Sequence, residues 1–217
     1  MGKTKVDNIL ADMHNQESTD KGSFGEKAVL KICESLYQMQ GGILYHSFTY
    51  SVDKDLPGNI KKDDDGSFYL ENLSNSTEID VLFVTPFRIF PIEVKAYRAN
   101  KITLTDDSIK GCYVTNKSPV HQNEMHCRHL YSGIFMTIPE GNPDYIVPIV
   151  CMVDKAEIID SRSDWQKDYI HLCTLNTLKH TLIQYNKPLD YKLNLVDIDN
   201  RLKEIKFSHE KYFPVRV

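Results

Sequence analysis

Several features that would identify an activity directly are missing from this sequence. Its glycines form no phosphate-binding loop, because Gly22-x-x-Gly25 is not followed by Lys and Ser or Thr, and no Gly-x-Ser-x-Gly motif is present. The longest apolar run, residues 146–153, contains a proline and is too short to span a bilayer. Residues 1–6 have neither the apolar segment of a signal peptide nor the Ser or Thr that a myristoylation motif needs at position 6. We therefore expect a cytoplasmic protein that does not bind membranes.

Cysteine is too scarce and too scattered to indicate a disulfide framework. The five cysteines are odd in number, and the sequence contains no Cys-x-x-Cys pair. This usage is typical of free thiols in a reducing compartment. The five are Cys33, Cys112, Cys127, Cys151 and Cys173.

The overall composition is that of an ordinary globular domain. The chain has 217 residues, of which 41% are hydrophobic and 26% are charged. No linker-like segment divides it, so we expect one domain over residues 1–217 with a core of about 20–212. The polar residues 53–77 are interpreted as an insertion, with a small hairpin expected through Ser67–Leu70.

Charge is modest and unevenly distributed. The net charge is −4 and the isoelectric point is about 6.1, which argues against a large basic surface that wraps DNA. Residues 88–128, however, contain seven basic and four acidic side chains, so this segment carries +3 and the remainder −7. A local positive patch would suit a phosphate backbone. A scatter of solvated surface lysines explains the same numbers equally well.

The most informative stretch is residues 78–95. It contains two apolar runs, 79–84 and 89–94, separated by the four residues Thr85-Pro86-Phe87-Arg88. This pattern predicts a β-hairpin whose proline lies in the turn, where no backbone donor is needed.

Three charged residues interrupt these apolar runs: Asp80, Glu93 and Lys95. Burying an unpaired carboxylate is costly, so such groups usually pair or hold a metal. Glu93 and Lys95 are two residues apart on one strand and therefore share a face of the sheet. Asp80 on the neighbouring strand reaches the same face if the register is right. Two carboxylates and an ammonium in one place suit a divalent cation with a water molecule beside it.

Further elements are predicted from periodicity and capping residues, and together they indicate an α/β fold. The N-cap candidates Ser18, Asp20 and Ser23 precede the first helix, and Trp165 is expected to cover the core from a charged stretch. In chain order we expect a helix from about Phe24, strands over 43–52 and 102–105, a helix from Pro119, a buried strand over 145–153, a strand over 169–172, a helix capped by Thr174 and a last helix after Asp197.

The helix that starts near Pro119 carries several polar side chains on one face. Gln122, His126 and His129 are spaced at i, i+4 and i+7 and therefore lie on the same side of the helix. A zinc site that also includes His121 and Cys127 is one interpretation, but the spacing lacks the usual two pairs of ligands. A partly buried, hydrogen-bonded histidine is the competing one.

The order of these pieces resembles a known family. An Asp followed by Glu-x-Lys on adjacent strands resembles the PD-(D/E)xK nuclease superfamily, and more narrowly the chain resembles the nuclease-related domain (NERD) family. The motif Asp…Glu-x-Lys is weak alone, whereas the ordered set is much more specific. The matching pieces are Gly25-Glu26, Glu78-Ile79-Asp80, Ile92-Glu93-Val94-Lys95, Pro119-x-x-Gln122-Asn123-x-x-His126, Pro148-Ile149-Val150 and Leu172-x-x-Leu175-x-x-Leu178.

The resemblance implies a restriction-endonuclease-like mixed β-sheet flanked by helices and a metal-dependent nuclease. It implies that Mg²⁺, for which Mn²⁺ would substitute, is held by Asp80, Glu93 and the backbone carbonyl of Val94. Lys95 would then orient or deprotonate the attacking water. The expected partner is nucleic acid, with DNA favoured over RNA, and a homodimer is expected where this fold cuts two strands.

The resemblance also implies roles for residues outside the hairpin. Gln122 would face the active site and bind phosphate or the water on the metal, whereas His126 would brace its helix. Glu26 would reach toward the metal through water or hold a second metal. A first-turn glutamate that is favoured by the helix dipole is the simpler interpretation of Glu26.

Two alternatives to an enzyme remain open. The first is a catalytically silent module that binds nucleic acid or protein on the same fold. The second is purely structural, with Asp80 and Lys95 forming a cross-strand ion pair and Glu93 exposed to solvent. Only a metal site would raise the melting temperature when Mg²⁺ or Mn²⁺ is added.

Overall fold

The computed structural model describes residues 21–51, 60–62, 68–70, 76–97, 99–111, 118–154 and 156–216. Five helices lie in these ranges: α1 (Lys21–Gln40), α2 (Pro119–Ile134), α3 (Asp164–Tyr169), α4 (Leu175–Tyr185) and α5 (Leu195–Ile205). The strands are β1 (Gly42–Ser51), β2 (Ile60–Lys62), β3 (Phe68–Leu70), β4 (Ser76–Val84), β5 (Ile89–Lys95), β6 (Lys101–Leu104), β7 (Ile109–Lys110), β8 (Ile149–Met152), β9 (Glu157–Asp160), β10 (His171–Thr174), β11 (Lys206–Ser208) and β12 (Lys211–Arg216). Three short 3-10 turns, Phe135–Thr137, Pro139–Gly141 and Pro143–Tyr145, follow α2.

A seven-stranded mixed sheet forms the centre of the protein. Its order is β10-β8-β5-β4-β1-β11, and β12 also pairs with β1. Strand β4 is antiparallel to both β1 and β5, whereas β8 runs parallel to both β5 and β10. A three-stranded sheet, β7-β6-β9, and the β2–β3 hairpin are separate from it. This arrangement confirms the predicted α/β fold and is consistent with a restriction-endonuclease-like domain.

Helices cover both faces of the large sheet. Helices α1 and α4 pack on one face and α2 and α5 on the other, each through a continuous apolar cluster. Side chains alternate along a strand, so β1, β4 and β5 each contribute to both clusters. In β5, Phe90, Ile92 and Val94 point toward α1, whereas Ile89 points toward α2.

The predicted hairpin is confirmed as β4–β5, and Thr85 closes its turn. The backbone N–H of Thr85 donates to the carbonyl of Arg88 (2.8 Å), and the N–H groups of Phe87 and Arg88 donate to the Thr85 hydroxyl (3.1 and 2.9 Å). A threonine side chain that accepts from the next residues is a common way to fix a turn. The register of the two strands, with Val81 opposite Ile92, follows from this turn.

Several boundary predictions were wrong. Helix α1 is already helical at Lys21, and α5 begins at Leu195 because the Asn194 side chain, rather than a residue near Asp197, accepts from the first free N–H groups. The strand predicted over 145–153 is confined to Ile149–Met152, and Trp165 is 61% exposed rather than a cover over the core.

Strands β7, β9, β11 and β12 were not predicted, and some predictions fall outside the described residues. Strands β11 and β12 both add to the edge of the sheet at β1. The β2–β3 hairpin agrees with the hairpin expected inside the insertion, but most of residues 53–75 and the caps Ser18 and Asp20 lie outside the described residues. None of the described helices is long and apolar enough to cross a membrane. The cysteines in the described ranges, Cys33, Cys127, Cys151 and Cys173, are buried and free.

Candidate active site

The hairpin brings Asp80 and Glu93 together. Val81 pairs with Ile92 in the antiparallel register, so Asp80 and Glu93 are the next two residues across the strands. The paired residues of the two strands end at Val81 and Ile92. Beyond them the N–H of Val94 donates to Oδ2 of the Asp80 side chain at 2.7 Å instead of to a backbone carbonyl. The charge of Glu93 contributes to the raised pKa of Asp80, as expected for two neighbouring carboxylates. The predicted meeting of these two side chains is therefore found in the structure.

Glu93 is a buried carboxylate between two bases. Only 1% of it is exposed, Lys95 Nζ contacts its Oε1, and His126 Nδ1 lies 3.4 Å from its Oε2. These are ion-pair contacts, and neither oxygen accepts a well-directed hydrogen bond from the described residues. Burial favours the protonated acid, but His126 and Lys95 outweigh it and hold the pKa of Glu93 below its ordinary value. Glu93 is therefore an ionised group with bonding capacity left over.

Asp80 is affected in the opposite direction. Burial and the nearby charge of Glu93 raise the pKa of Asp80 to about 8, although the hydrogen bond from Val94 and the charge of Lys95 act against this. Two close carboxylates in a poorly solvated site cannot both be ionised cheaply, and here Asp80 keeps the proton. A cation that replaces this proton would let both carboxylates ionise.

The purely structural interpretation of the hairpin charges is wrong. It required an exposed Glu93 and an ion pair between Asp80 and Lys95, whereas Glu93 is buried and Lys95 contacts Glu93. Lys95 is still accessible, because 25% of its side chain is exposed. Its ammonium group thus lies between a buried carboxylate and solvent, where it can meet a substrate.

Strand β1 is irregular at Ser47, directly opposite Asp80. Ser47 is buried and has φ of 51°, which is uncommon for a residue other than glycine. Leu44 and Phe48 are four residues apart, so a regular strand would point both toward the same face, yet Leu44 packs in the α1 cluster and Phe48 in the α2 cluster. Because of the left-handed residue, the side chains after Ser47 point to the opposite side of the sheet from the one that a regular strand would give them. The pairs on either side of it are His46 with Val81 and Phe48 with Ile79.

Helix α2 is fixed over the site by two buried polar side chains. Asn123 is fully buried and its Nδ2 donates to the carbonyl of Ile149 at 2.8 Å and to that of Pro91 at 3.4 Å, on two adjacent strands. One turn later, the hydroxyl of Tyr50 donates to the carbonyl of His126 at 2.7 Å. Because these contacts fix α2 at both points, the ring of His126 is held against Glu93.

The other polar residues of α2 were predicted to bind phosphate or zinc. Gln122 is exposed and lies one turn before His126, and within the described residues its side chain forms no hydrogen bond with Asp80 or Glu93. The zinc interpretation is not supported, because no group of three or more His, Cys, Asp or Glu side chains in the described ranges could hold a metal ion. Cys127 is instead buried against Asn123, and His126 faces Glu93.

Glu26 approaches the site from α1 because Gly25 lets the helix come close. A Cβ atom on Gly25 would lie 2.8 Å from Cγ2 of Val153, whose N–H donates to the carbonyl of Lys95 at 3.0 Å. The charge of Glu26 contributes to the raised pKa of Asp80, although it is the smallest of the causes. The Glu26 carboxylate itself faces His46, with 3.6 Å between Oε2 and Nε2. Sequence reasoning named Glu26 but not His46, since nothing in the local pattern of β1 marks this histidine.

The fold and this site define a class of protein. The chain is an α/β protein with a restriction-endonuclease-like mixed sheet, and it carries an Asp and a Glu-x-Lys motif on adjacent antiparallel strands of that sheet. The nuclease-related domain (NERD) family model matches residues 21–153, which is more than half of the chain, and the protein belongs to that family. Comparisons with curated proteins and with solved structures gave no significant match.

Proposed function

We propose that this protein is a Mg²⁺-dependent nuclease that hydrolyses phosphodiester bonds of nucleic acid, with DNA as the favoured substrate. The observation that carries the proposal is the buried Glu93 next to the partly buried Asp80, with Lys95 beside them. An ionised Glu93 without a well-directed hydrogen bond is costly unless a further cation joins it. Membership of a nuclease-related family supports the same activity.

The donor set suits a hard divalent cation. Mg²⁺ is usually bound through one or two carboxylates and keeps several of its waters. Asp80, Glu93 and the backbone carbonyl of Val94 would hold it, with Mn²⁺ as a substitute. When bound, the ion would polarise the scissile phosphate and lower the pKa of a water molecule.

The remaining residues act on the substrate and on the ligands. Lys95, accessible and next to Glu93, orients the attacking water or accepts its proton. Gln122 projects from the exposed side of α2 at the border of the site, where its amide can bind a phosphate oxygen. His126 holds Glu93 in place through the 3.4 Å contact, and Glu26 approaches Asp80 from the opposite helix. The expected products are a 5′-phosphate and a 3′-hydroxyl.

A cleavage assay with a matched control tests this function. Labelled single- and double-stranded DNA and RNA are incubated with wild type, Glu93→Gln and Glu157→Gln in Mg²⁺, Mn²⁺ or EDTA. Glu157 is also a glutamate next to a lysine, but its side chain is 66% exposed and its ion pair with Lys101 (3.2 Å) lies on the surface. We expect metal-dependent cutting by wild type and Glu157→Gln and a loss of at least about 100-fold in Glu93→Gln, in line with the loss of a metal ligand.

Two other results would count against the proposal. Cutting that survives Glu93→Gln would show that the activity does not come from this site. Binding of nucleic acid by wild type without cutting in any metal would favour the catalytically silent module.

A further inference from the structure

A second buried histidine connects the site to the C-terminal strands. His46 is 5% exposed and lies on β1 on the side of the sheet that faces α1. Its partner across the sheet is Val81, the residue after Asp80. Its Nε2 is 3.6 Å from Oε2 of Glu26, and its Nδ1 is 3.1 Å from Oε2 of Glu210. Both ring nitrogens of His46 therefore face carboxylates from different parts of the chain.

The backbone explains why Glu210 reaches this histidine. Strand β12 pairs with β1 so that Lys211 is opposite His46, and the N–H of Glu210 donates to the carbonyl of His46 at 3.0 Å. Glu210 is thus fixed over β1 by main-chain hydrogen bonds, although 67% of its side chain is exposed. It lies beyond residues 21–153, the part of the chain that matches the nuclease-related family.

We propose that His46 and Glu210 are positioning residues that orient the carboxylate of Glu26 toward Asp80. The inference rests on the proposed nuclease function and adds a C-terminal contribution to its site. A histidine that hydrogen-bonds a carboxylate through one nitrogen has its ring orientation and its proton position fixed for the other. Glu210 restrains the ring through its 3.1 Å ion-pair contact with Nδ1, and the other side of the ring then lies against Oε2 of Glu26 at 3.6 Å. The second oxygen of Glu26 is left to face Asp80 and the water around a bound metal.

Burial favours this role over a surface ion pair. An exposed Glu–His contact contributes little, because water competes for both partners. His46 is buried and its Nε2 accepts or donates no well-directed hydrogen bond among the described residues, so its contact with Glu26 is one of the few ways to satisfy that nitrogen. The 3.6 Å separation is an ion-pair contact and is too long for a hydrogen bond.

Glu210 is the exposed member of the Glu210–His46–Glu26 series and can be replaced without disturbing the core. Glu210→Ala removes a side chain that is mostly in solvent, so the fold is retained, and Glu204→Ala is the matched control. Glu204 is a similarly exposed glutamate on α5. Its side chain is 62% exposed and forms an ion pair with Arg201 of the same helix at 2.8 Å. We expect Glu210→Ala to lower kcat about tenfold with little change in KM, as for loss of a group behind a metal site, and Glu204→Ala to leave kcat unchanged.

A double-variant cycle shows whether Glu210 acts through Glu26. If it does, adding Glu210→Ala to Glu26→Gln causes no further loss of kcat, because the carboxylate to be positioned is already gone. Equal losses in both backgrounds would overturn the proposal, and so would an unchanged kcat in Glu210→Ala. As a test of His46 itself, His46→Gln retains a donor at the place of Nε2 and is expected to keep more activity than His46→Ala.

A measurement on metal-free protein separates this inference from the nuclease function. Imidazole ¹⁵N and ¹H signals of His46, assigned with His46→Gln, are expected to shift in Glu210→Ala and in Glu26→Gln but not in Glu204→Ala. Unshifted signals in both variants would show that the contacts do not form and would overturn the inference alone. A wild type that cuts no nucleic acid would overturn the proposed function, whatever the NMR signals show.

Discussion

Replacing Asp80 by asparagine is expected to stabilise the metal-free protein. At neutral pH the aspartate is ionised in the unfolded chain, whereas in the folded protein it is partly buried beside the ionised Glu93 and its pKa is raised to about 8. Folding must therefore take up a proton at Asp80 or accept a second buried charge. Asparagine has nearly the same shape and cannot ionise, and its amide oxygen can still accept from the N–H of Val94.

The size of the effect follows from the shift of the pKa. One pKa unit corresponds to about 1.4 kcal/mol, so the interval between the ordinary value of 3.8 and pH 7 gives an upper limit of about 4 kcal/mol. Water and side-chain movement relax such sites, and we expect about half of this, or about 2 kcal/mol. For a protein of this size that is an increase of about 4–8 °C in the melting temperature.

The pH dependence has a definite sign. Because the folded pKa of Asp80 is raised, the unfolded chain loses this proton first, and the free energy of unfolding decreases as the pH increases from about 4 to about 8. The advantage of Asp80→Asn is therefore absent below about pH 4 and largest above about pH 8. This pH dependence distinguishes the ionisation of Asp80 from a general change in packing, which would alter stability equally at every pH.

Thermal melts in EDTA from pH 4 to 9 measure this difference. Asp107→Asn is the control, because Asp107 is exposed in the turn between β6 and β7. Adding Mg²⁺ is expected to stabilise wild type more than Asp80→Asn, because the variant has lost a proposed ligand. If Asp80→Asn melts at or below the temperature of wild type at pH 8 without metal, the reasoning about this carboxylate is refuted.

Three further variants test other contacts of the fold. Gly25→Ala is expected to lower the free energy of unfolding by about 1–3 kcal/mol in urea titrations, despite the better helix propensity of alanine, because the new methyl group lies 2.8 Å from Val153; an unchanged midpoint would show that α1 can move away freely. Ser47→Gly is expected to raise the same free energy by up to about 1 kcal/mol, since glycine adopts a positive φ without strain, and a loss would mean that the serine hydroxyl matters more than the backbone. Burial acts to raise the pKa of Asp160, but Arg162 outweighs it and holds that pKa below its ordinary range, so the stability from this pair is present above about pH 4 and is lost on further acidification. Acid titrations of Asp160→Asn should lack this loss, and a curve parallel to that of wild type would contradict it.

The central hairpin could be predicted because its signals are local. Two nearly continuous apolar runs, a proline in the turn and strand-like residue types all lie within residues 79–94, and the structure has these strands paired antiparallel as expected. Strands β11 and β12 could not be predicted in the same way. Both lie at the edge of the sheet, and β12 has a mixed pattern of exposed and half-buried residues, so neither shows the apolar run of a central strand.

The same distinction applies to the site. Asp80, Glu93 and Lys95 are visible in the sequence because charged residues are rare in apolar strands, and the period of two places the last two on one face. The groups that decide their ionisation are not visible. His126 contacts Glu93 from 33 positions away along the chain, and Glu210 reaches His46 from 164 positions away, so neither pairing follows from local spacing.

The position of Ser47 shows why such contacts depend on the three-dimensional fold. No sequence pattern in β1 predicts a left-handed residue there, yet it determines which core Phe48 and Tyr50 enter. Tyr50 then donates to the carbonyl of His126 and so fixes the helix whose histidine holds Glu93. A backbone conformation opposite one carboxylate thus determines the surroundings of the other. Because each step uses a strand or a helix and a buried contact, the geometry of the proposed metal site is held by rigid elements of the fold.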